Sequence, residues 1–576
     1  MPEIVEARDT WSNRAEYYLS LLGYSIGVGN IWRFPYLVMR TGGGAFFIPY
    51  FIFLIFCGIP IYYAECIIGQ YTGIGCSKIF EFAPFFRGIG WSMMLISLMI
   101  TVYYNILITY ILFYLYNCFS LELPWKNCNN SWNTENCFEF RPAGSNSSKI
   151  MGINPKTGLM ADITTQLSST AEFWYYNTLE VTNRPMEMGS LNMKLFVCLL
   201  ISWIIIFLCL LRGIKSSGKV VYLTSTAPFI LLTVLVIRGC LLEGASLGIF
   251  FYLYPNWKKL KNSQMWSAAG CQIFYSLGPA WGGLISMSSF NHPRTNIKRS
   301  SIILPFICCL TSIYGGIAVY SVLGYMANSL DLSDVSELNL KSFGLIFIAY
   351  PESLNHLPWA QFWNFCFFFM LLTLGLDSQF ATLETFTSGI FDQFPKHFYG
   401  YRKTLFILFV CSVEFLLGIP LCFQGGSYLF ELYDNYSTSL AVVIIGIFEI
   451  IAFAYVYDGR RFIRNVDEML GKTSSIMKWF WYSCWYVITP VLLIPVVITA
   501  FANARHSLQS YKGDEFPVWS IYMMMFIGIL TVICIPIFMI KSVHEYKSDI
   551  RQAFKPSFVW KSLIKNRLAP DEQLCT

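Results

Sequence analysis

Several charged side chains lie inside long apolar stretches, where they could bind ions. Asp377 and Ser378 are adjacent and supply carboxylate and hydroxyl oxygens, the ligands that hard cations prefer. A charge in such a stretch is costly and by default indicates function. For Glu65 we favour a structural role, in which the carboxyl group accepts hydrogen bonds from unwound backbone. The charged residues within apolar stretches are Arg33, Glu65, Asp377, Glu384, Glu414 and Glu449.

Glycine-rich runs interrupt two of the apolar stretches near their middle, at residues 23–30 and residues 276–283. Unwound backbone at membrane depth costs on the order of several kcal/mol for each unpaired group, so it persists where it lines a cavity or binds a ligand. Either break alone is explained by a kinked packing helix, because glycine also allows helices to pack closely. The two breaks together, with charges nearby, favour a binding site at the bilayer midplane.

The composition indicates a membrane protein. Of the 576 residues, 55% are hydrophobic, 18% aromatic and 13% charged, whereas a soluble protein carries about 25% charged residues. The basic residues behind the net charge of +6 cluster between apolar stretches, so we expect lipid as the partner and no nucleic acid. No His-Glu-x-x-His motif is present, and we do not expect an enzyme.

These residues lie in predicted helices of about 20 apolar residues, the length that spans a bilayer. The first and sixth of twelve predicted spans carry the breaks, which indicates an all-α membrane fold with a 5+5 inverted repeat and broken helices 1 and 6. The predicted spans are Tyr17–Met39, Gly44–Gln70, Trp91–Phe119, Leu195–Leu211, Val220–Cys240, Gln264–Phe290, Ser301–Met326, Trp359–Ile390, Leu405–Cys422, Leu429–Tyr457, Phe480–Phe501 and Val518–Ile540.

Basic loops predict the orientation, since positive residues favour the cytoplasmic side. We expect a cytoplasmic tail at residues 1–16, a transporter domain at 17–540 and a second cytoplasmic tail at 541–576, without a cleaved signal peptide. The long loop at residues 120–193 would be extracellular. It carries Cys128 and Cys137, which we expect to pair in an oxidising compartment, and glycosylation sequons at Asn129 and Asn146.

Motifs along nearly the whole chain resemble the neurotransmitter:sodium symporter family (solute carrier family 6), which has the leucine-transporter fold. The amino-acid branch of that family, with the glycine transporters and the broad neutral and cationic amino acid transporter, is the most similar. The motifs are Trp11-Ser-Asn-Arg, Gly27-Val-Gly-Asn-Ile-Trp-Arg-Phe-Pro-Tyr, Gly42-Gly-Gly-Ala-Phe, Glu65-x-x-x-Gly-Gln, Leu123-Pro-Trp-Lys-Asn-Cys, Gly213-Ile-Lys-Ser-Ser-Gly-Lys, Gln272-Ile-Phe-Tyr-Ser-Leu-Gly and Thr373-Leu-Gly-Leu-Asp-Ser-Gln-Phe.

The resemblance implies a set of ion sites, a substrate site and two gates. One sodium ion would be held by Gly23, Ile26, Leu374, Asp377 and Ser378, and another by Ser25, Asn30 and Ser276. Chloride would be held by Tyr50, Gln272, Ser276 and Ser312. The substrate would lie against Gly27, Gly29, Ile100, Tyr104, Tyr275, Gly278 and Ser378. The outer gate would be Arg33 with Asp434, and the inner gate Arg8 with Asp392, supported by Trp11.

Two residues depart from the family pattern. Cys308 stands where the family has an asparagine beside sodium and chloride, and a thiol is a weak partner for sodium. The sodium site at Ser25 and Asn30 would therefore lack one oxygen ligand. Phe290 replaces the inner-gate tyrosine and keeps the ring without the hydroxyl.

The resemblance also implies the substrate class. Monoamine transporters of the family have an aspartate at the position of Gly27, so a chain with glycine there suits a substrate that brings its own carboxylate. Gly278 would leave room for a side chain, which favours neutral amino acids beyond glycine. We expect a sodium-dependent, chloride-assisted symporter in the plasma membrane; the alternative is a non-transporting relative that acts as a sensor or trafficking partner. The sequence is also compatible with a homo-oligomer.

Overall fold

A computed structural model describes residues 10–139, 167–182, 184, 187–211, 213–329, 332–338, 344–434, 439–503 and 516–568, and most of them are helical. The main helices are α1 (Arg14–Ser25), α2 (Arg33–Thr41), α3 (Gly44–Thr72), α4 (Pro84–Asn117), α5 (Met193–Leu210), α6 (Ile214–Cys240), α7 (Ala245–Leu253), α8 (Ser263–Leu277), α9 (Gly283–Ser289), α10 (Ser300–Ser329), α11 (Tyr350–Asn355), α12 (Ala360–Gln393), α13 (Tyr401–Cys422), α14 (Gly426–Leu432), α15 (Leu440–Val456), α16 (Gly459–Leu470), α17 (Ser475–Ala500), α18 (Val518–Glu545) and α19 (Phe558–Leu568).

Among the described residues, nine of these helices are long and apolar enough to cross a membrane: α3, α4, α5, α6, α10, α12, α13, α17 and α18. A tenth span results if α15 and α16, which meet at 81°, are counted as one bent helix. The remaining two of the twelve predicted spans each correspond to a pair of shorter helices, α1 with α2 and α8 with α9.

The first of these helix pairs separates because the backbone unwinds at residues 26–32. Gly27 is extended, with φ −102° and ψ −177°, and a single turn of 3-10 helix follows at Val28–Asn30. In the second pair, α8 ends at Gly278 and α9 begins after Gly282, and both glycines have positive φ, +68° and +80°. Glycine adopts this left-handed conformation without the steric cost that other residues incur.

Helices α4 and α12 form the centre of the molecule and pack along each other. In each, 78% of the most apolar stretch is buried, against 33% for α5 and 22% for α18. Outward-facing residues on the peripheral helices are large and apolar, for example Leu208, Ile230 and Phe526. Such an outer surface suits a lipid environment, because apolar side chains that contact lipid avoid the unfavourable free energy of contact with water.

The long loop before α5 contacts the loop that contains α11, where the Thr170 hydroxyl donates to Glu352. The predicted disulfide between Cys128 and Cys137 is confirmed. Strand β1 (Cys137–Phe138) pairs in parallel with β2 (Leu167–Ser168), so that Cys137 lies opposite Leu167. Of the predicted sequons, Asn129 is exposed on this loop, whereas Asn146 lies outside the described residues.

Candidate functional site

The unwound end of α1 meets α12 at Asp377 and Ser378, the oxygen-bearing pair singled out in the sequence. The Ser378 hydroxyl donates to the carbonyl of Gly23 at 3.1 Å. A Cβ atom on Gly23 would lie 2.4 Å from Oδ2 of Asp377, so only glycine allows this approach of α1 to the carboxylate. Ile26 ends α1 and, like Leu374 on α12, is buried.

Two hydroxyl groups that sequence reasoning missed complete the surroundings of Asp377. Thr224 of α6 donates to Oδ1 of Asp377, and Ser225 donates to Oδ2 at 2.7 Å. Both residues are buried. The signal available in the sequence was the hydroxyl run Thr224-Ser-Thr226 inside an otherwise apolar span.

A second polar cluster connects α1, α8 and α10 around Cys308. The Ser276 hydroxyl donates to Oδ1 of Asn30 at 2.8 Å, and Nδ2 of Asn30 donates to the carbonyl of Ser25 at 3.3 Å. The Cys308 thiol donates to that same carbonyl at 3.1 Å, and its sulfur lies 3.3 Å from the Ser276 hydroxyl. The thiol therefore occupies a hydrogen-bonding position next to the oxygens expected to bind a sodium ion.

Beside this cluster, the four residues expected to hold chloride are neighbours. The phenol of Tyr50 lies next to the hydroxyls of Ser276 and Ser312. Gln272 uses its Oε1 to accept a hydrogen bond from Arg33 at 3.2 Å. Its buried Nε2 group makes no hydrogen bond within the described part of the chain. Hydroxyl and amide donors of this kind suit an anion, because each presents a partial positive charge.

Glycines in the unwound segment bring its backbone against aromatic and hydroxyl side chains. A Cβ on Gly27 would lie 2.8 Å from the Ser378 hydroxyl and 2.9 Å from the Tyr104 hydroxyl. The Tyr104 oxygen accepts a hydrogen bond from the backbone of Val28 at 3.2 Å. On the same segment, a Cβ on Gly29 would lie 2.4 Å from the ring of Tyr275. Ile100, one turn before Tyr104 on α4, is also buried.

The expectation that Gly278 leaves room for a substrate side chain is wrong. A Cβ at this position would lie 2.5 Å from the ring of Tyr24, whose hydroxyl donates to the Gly278 carbonyl at 3.0 Å. The missing side chain therefore admits the protein's own tyrosine. Together with its positive φ, this contact explains why glycine is required at the end of α8.

The expected outer gate is assembled around Arg33. Its guanidinium lies 3.4 Å from the carboxylate of Asp434 and stacks over the ring of Tyr275 at 4.3 Å, while it also donates to Gln272. A planar guanidinium is suited to such simultaneous carboxylate, amide and ring contacts. All these groups are largely buried.

The expected inner gate is only partly described, because Arg8 lies outside the described residues. Its expected partner Asp392 accepts a hydrogen bond from the backbone of Gly75 at 2.6 Å. The indole of Trp11 donates to the carbonyl of Met287 at 2.9 Å, and its ring meets Phe290 edge-on at 6.1 Å. The ring that Phe290 retains is therefore used in packing against Trp11.

Glu65 has the structural partner expected for it. Its Oε1 accepts a hydrogen bond of 2.6 Å from the backbone of Ala280, in the unwound stretch between α8 and α9. The carboxyl group is completely buried. It thereby accepts a hydrogen bond from a backbone N–H group that lies outside the helices and has no helical acceptor.

Comparison with known proteins identifies the family to which the chain belongs. The model of the Sodium:neurotransmitter symporter family matches residues 8–546. The chain is 40% identical to the sodium- and chloride-dependent glycine transporter 1 of Xenopus laevis, over 96% of this chain and 88% of that protein. It is 39% identical to the sodium- and chloride-dependent neutral and basic amino acid transporter B(0+) of Homo sapiens, over 95% of this chain and 87% of that protein. It is also 39% identical to the sodium- and chloride-dependent glycine transporter 2 of Xenopus laevis, over 93% of this chain and 69% of that protein. This chain, a multi-pass membrane protein and not an enzyme, belongs to the sodium:neurotransmitter symporter family.

Proposed function

We propose that this protein is a sodium-driven, chloride-assisted symporter of small, mainly neutral amino acids, which works by alternating access in the plasma membrane with both termini in the cytoplasm. In this proposal α1 with α2 and α8 with α9 are the broken first and sixth of twelve spans, related by a 5+5 inverted repeat. The polar groups near both breaks support it, since unwound backbone in a membrane is expected where ligands bind.

For the ions, the support comes from the oxygens that surround the breaks. Gly23 and Ile26 carbonyls with Asp377 and Ser378 would hold the driving sodium ion, because hard cations prefer oxygen ligands. The Nε2 donor of Gln272, which has no hydrogen-bond partner among the described residues, supports an anion beside Ser276. Chloride fits there, and the names of the similar transporters include both ions.

One observation carries the substrate class: the bare backbone of Gly27 faces the hydroxyls of Tyr104 and Ser378. Glycine at position 27 supplies no carboxylate, so the amino group of a monoamine would lack the partner that an aspartate offers there. Because the Tyr104 oxygen already accepts from Val28, its hydrogen is directed elsewhere and can donate to a substrate carboxylate. The space between the Gly27 backbone and the hydroxyls of Tyr104 and Ser378 is narrow, which favours amino acids with small side chains.

The test is uptake of radiolabelled amino acids in oocytes that express the chain, with sodium replaced by choline and chloride by gluconate. We expect uptake of small neutral amino acids that depends on sodium and falls without chloride. Surface biotinylation provides the control for delivery. A chain that reaches the surface but takes up no amino acid would contradict symport and support the alternative, a sensor or trafficking partner.

A variant separates the ion assignment from the substrate assignment. Asp377→Ala removes the only charged group among the proposed sodium ligands and should abolish sodium-driven uptake. Glu180→Ala serves as a comparison, since that carboxylate pairs with Lys194 at 3.1 Å and is not among the proposed ion, substrate or gate residues. Full sodium-driven uptake in Asp377→Ala would refute the assignment of this residue.

A further inference from the structure

The Ser225 hydroxyl lies between two acceptors on different helices. It is 2.7 Å from Oδ2 of Asp377 on α12 and 3.0 Å from the carbonyl of Leu19 on α1. Ser225 itself is on α6 and buried. One side chain thus bridges three helices at the position where the carboxylate meets α1.

A serine hydroxyl has a single hydrogen, so it can donate to only one of these two acceptors at a time. An ionised carboxylate wins that competition, because hydrogen bonds to a charged group are roughly twice as strong as those between neutral groups. A cation bound at Asp377 reverses the outcome. It neutralises the carboxylate, and the hydroxyl oxygen then turns towards the cation while the hydrogen turns towards Leu19.

We propose that Ser225 is a positioning residue that couples cation occupancy of Asp377 to the attachment of α1 to α6; this rests on the proposed sodium-driven function. With sodium at Asp377, Ser225 donates to the Leu19 carbonyl and holds α1 against α6. Without sodium, Asp377 takes the hydrogen bond, and the Leu19 carbonyl on α1 loses its contact with α6 while it keeps its hydrogen bond within the helix. Loss of the ion thereby loosens α1.

A small cavity beside these groups shows where the loosening would have its effect. Trp11 and Ser20 of the α1 side, Ser217 of α6 and Asp377 line it, and its volume is about 10 Å³. A site of about 10–15 Å³ is the smallest that holds a water molecule. The Ser20 hydroxyl is buried and makes no hydrogen bond among the described residues, so it is a polar group ready for water. Movement of α1 would widen this cavity, because α1 forms one of its walls.

Thr224 is a matched control on the same turn of α6. It also donates to Asp377, on the other carboxylate oxygen. Its alternative acceptor, however, is the carbonyl of Val220 at 3.1 Å, within α6 itself. Removing the Thr224 hydroxyl alters the surroundings of Asp377 but removes no contact between α6 and α1. A comparison of variants at Ser225 and Thr224 therefore separates an effect on ion binding from an effect on the attachment of α1.

The experiment measures access to the cavity from the cytoplasmic side. Ser20→Cys is introduced into the full chain, and inside-out membrane vesicles are treated with a membrane-impermeant methanethiosulfonate in sodium or in choline. Mass spectrometry of the peptide that contains position 20 reads this site separately from the native cysteines. We expect sodium to slow labelling by about two- to tenfold, the shift in equilibrium that one intramolecular hydrogen bond supports.

Adding Ser225→Ala should raise labelling in sodium to the rate in choline, whereas adding Thr224→Val should keep the protection by sodium. Ser225→Thr, which retains a hydroxyl, should also keep it and guards against a folding defect of the alanine variant. Full protection by sodium in Ser225→Ala, or equal loss of protection in Thr224→Val, would overturn the coupling.

Uptake measured in parallel separates this inference from the function on which it rests. Sodium-driven amino acid uptake by a chain whose labelling is indifferent to sodium overturns the role of Ser225 and leaves symport intact. Absence of uptake for every amino acid by the unmodified chain at the surface overturns the symport proposal, and the coupling with it.

Discussion

Replacing Cys308 by asparagine is the sharpest test of the proposed sodium site at the first break. The thiol of Cys308 donates to the Ser25 carbonyl at 3.1 Å, so it engages an oxygen that would otherwise face a sodium ion. An asparagine side chain removes the thiol and brings an amide oxygen near Asn30 and Ser276. We expect the variant to bind sodium more tightly or to couple more sodium ions to each transport cycle.

The magnitude follows from the contact that is lost. An intramolecular hydrogen bond contributes about 0.5–1.5 kcal/mol net. Sodium must displace the thiol from the Ser25 carbonyl, and each 1.4 kcal/mol corresponds to about a tenfold change in affinity. Removal of this competition alone therefore predicts a fall of about two- to tenfold in the half-saturating sodium concentration. An added oxygen ligand acts in the same direction.

Uptake against sodium concentration in oocytes, with the Hill coefficient and surface biotinylation, measures both quantities. Cys308→Ser supplies an oxygen without added volume and should show a smaller shift in the same direction. Cys309→Ser is the matched control, because the neighbouring thiol faces Tyr50 instead of the Ser25 carbonyl. Unchanged sodium dependence in Cys308→Asn with normal surface delivery would show that Cys308 lies outside the ion site.

Three further predictions concern the substrate site, the outer gate and the outer loops. Gly27→Ala should reduce uptake by about 5- to 150-fold with normal surface delivery, because its Cβ would lie 2.8 Å from the Ser378 hydroxyl and a clash of this kind costs about 1–3 kcal/mol; uptake equal to the parent would place Gly27 away from the substrate. Arg33→Lys should lower uptake although charge is kept, since a lysine cannot contact Asp434, Gln272 and the Tyr275 ring together; normal uptake would exclude this gate. Burial raises the pKa of Glu352, which accepts a hydrogen bond from Thr170, from 4.5 to about 7. The folded protein then binds a proton that the unfolded chain has released, so the stability from this carboxyl should fall as pH rises from 4.5 to about 7. Melting temperatures of purified protein between pH 5 and 8 measure this fall, and Glu352→Gln should lessen it; an identical pH profile in the variant would contradict the assignment.

Much of the architecture could be predicted because membrane helices have a strong local signal. Long apolar runs must be helical in lipid, where each backbone group needs an internal partner. The bounds of α10 and α12 differ from the predicted spans by at most three residues. Breaks carry a similarly local signal, since α1 ends at Ser25, two residues before Gly27, and α8 ends at Leu277, directly before Gly278. The partner of Glu65 was predictable for the same reason, as unwound backbone requires an acceptor.

The chemical groups of the site can be read directly from the sequence: an Asp377–Ser378 pair, a thiol at position 308 and a bare backbone at Gly27. Their contacts could be seen only in the folded chain. Folding brings the Asp377 carboxylate to hydroxyls 152 and 153 positions away in the chain, and it fills the space beside Gly278 with the ring of Tyr24. These contacts are not encoded locally because contacts between helices depend on the rotation and depth of each helix. Packing of the whole bundle sets both, and no local pattern of residues encodes them.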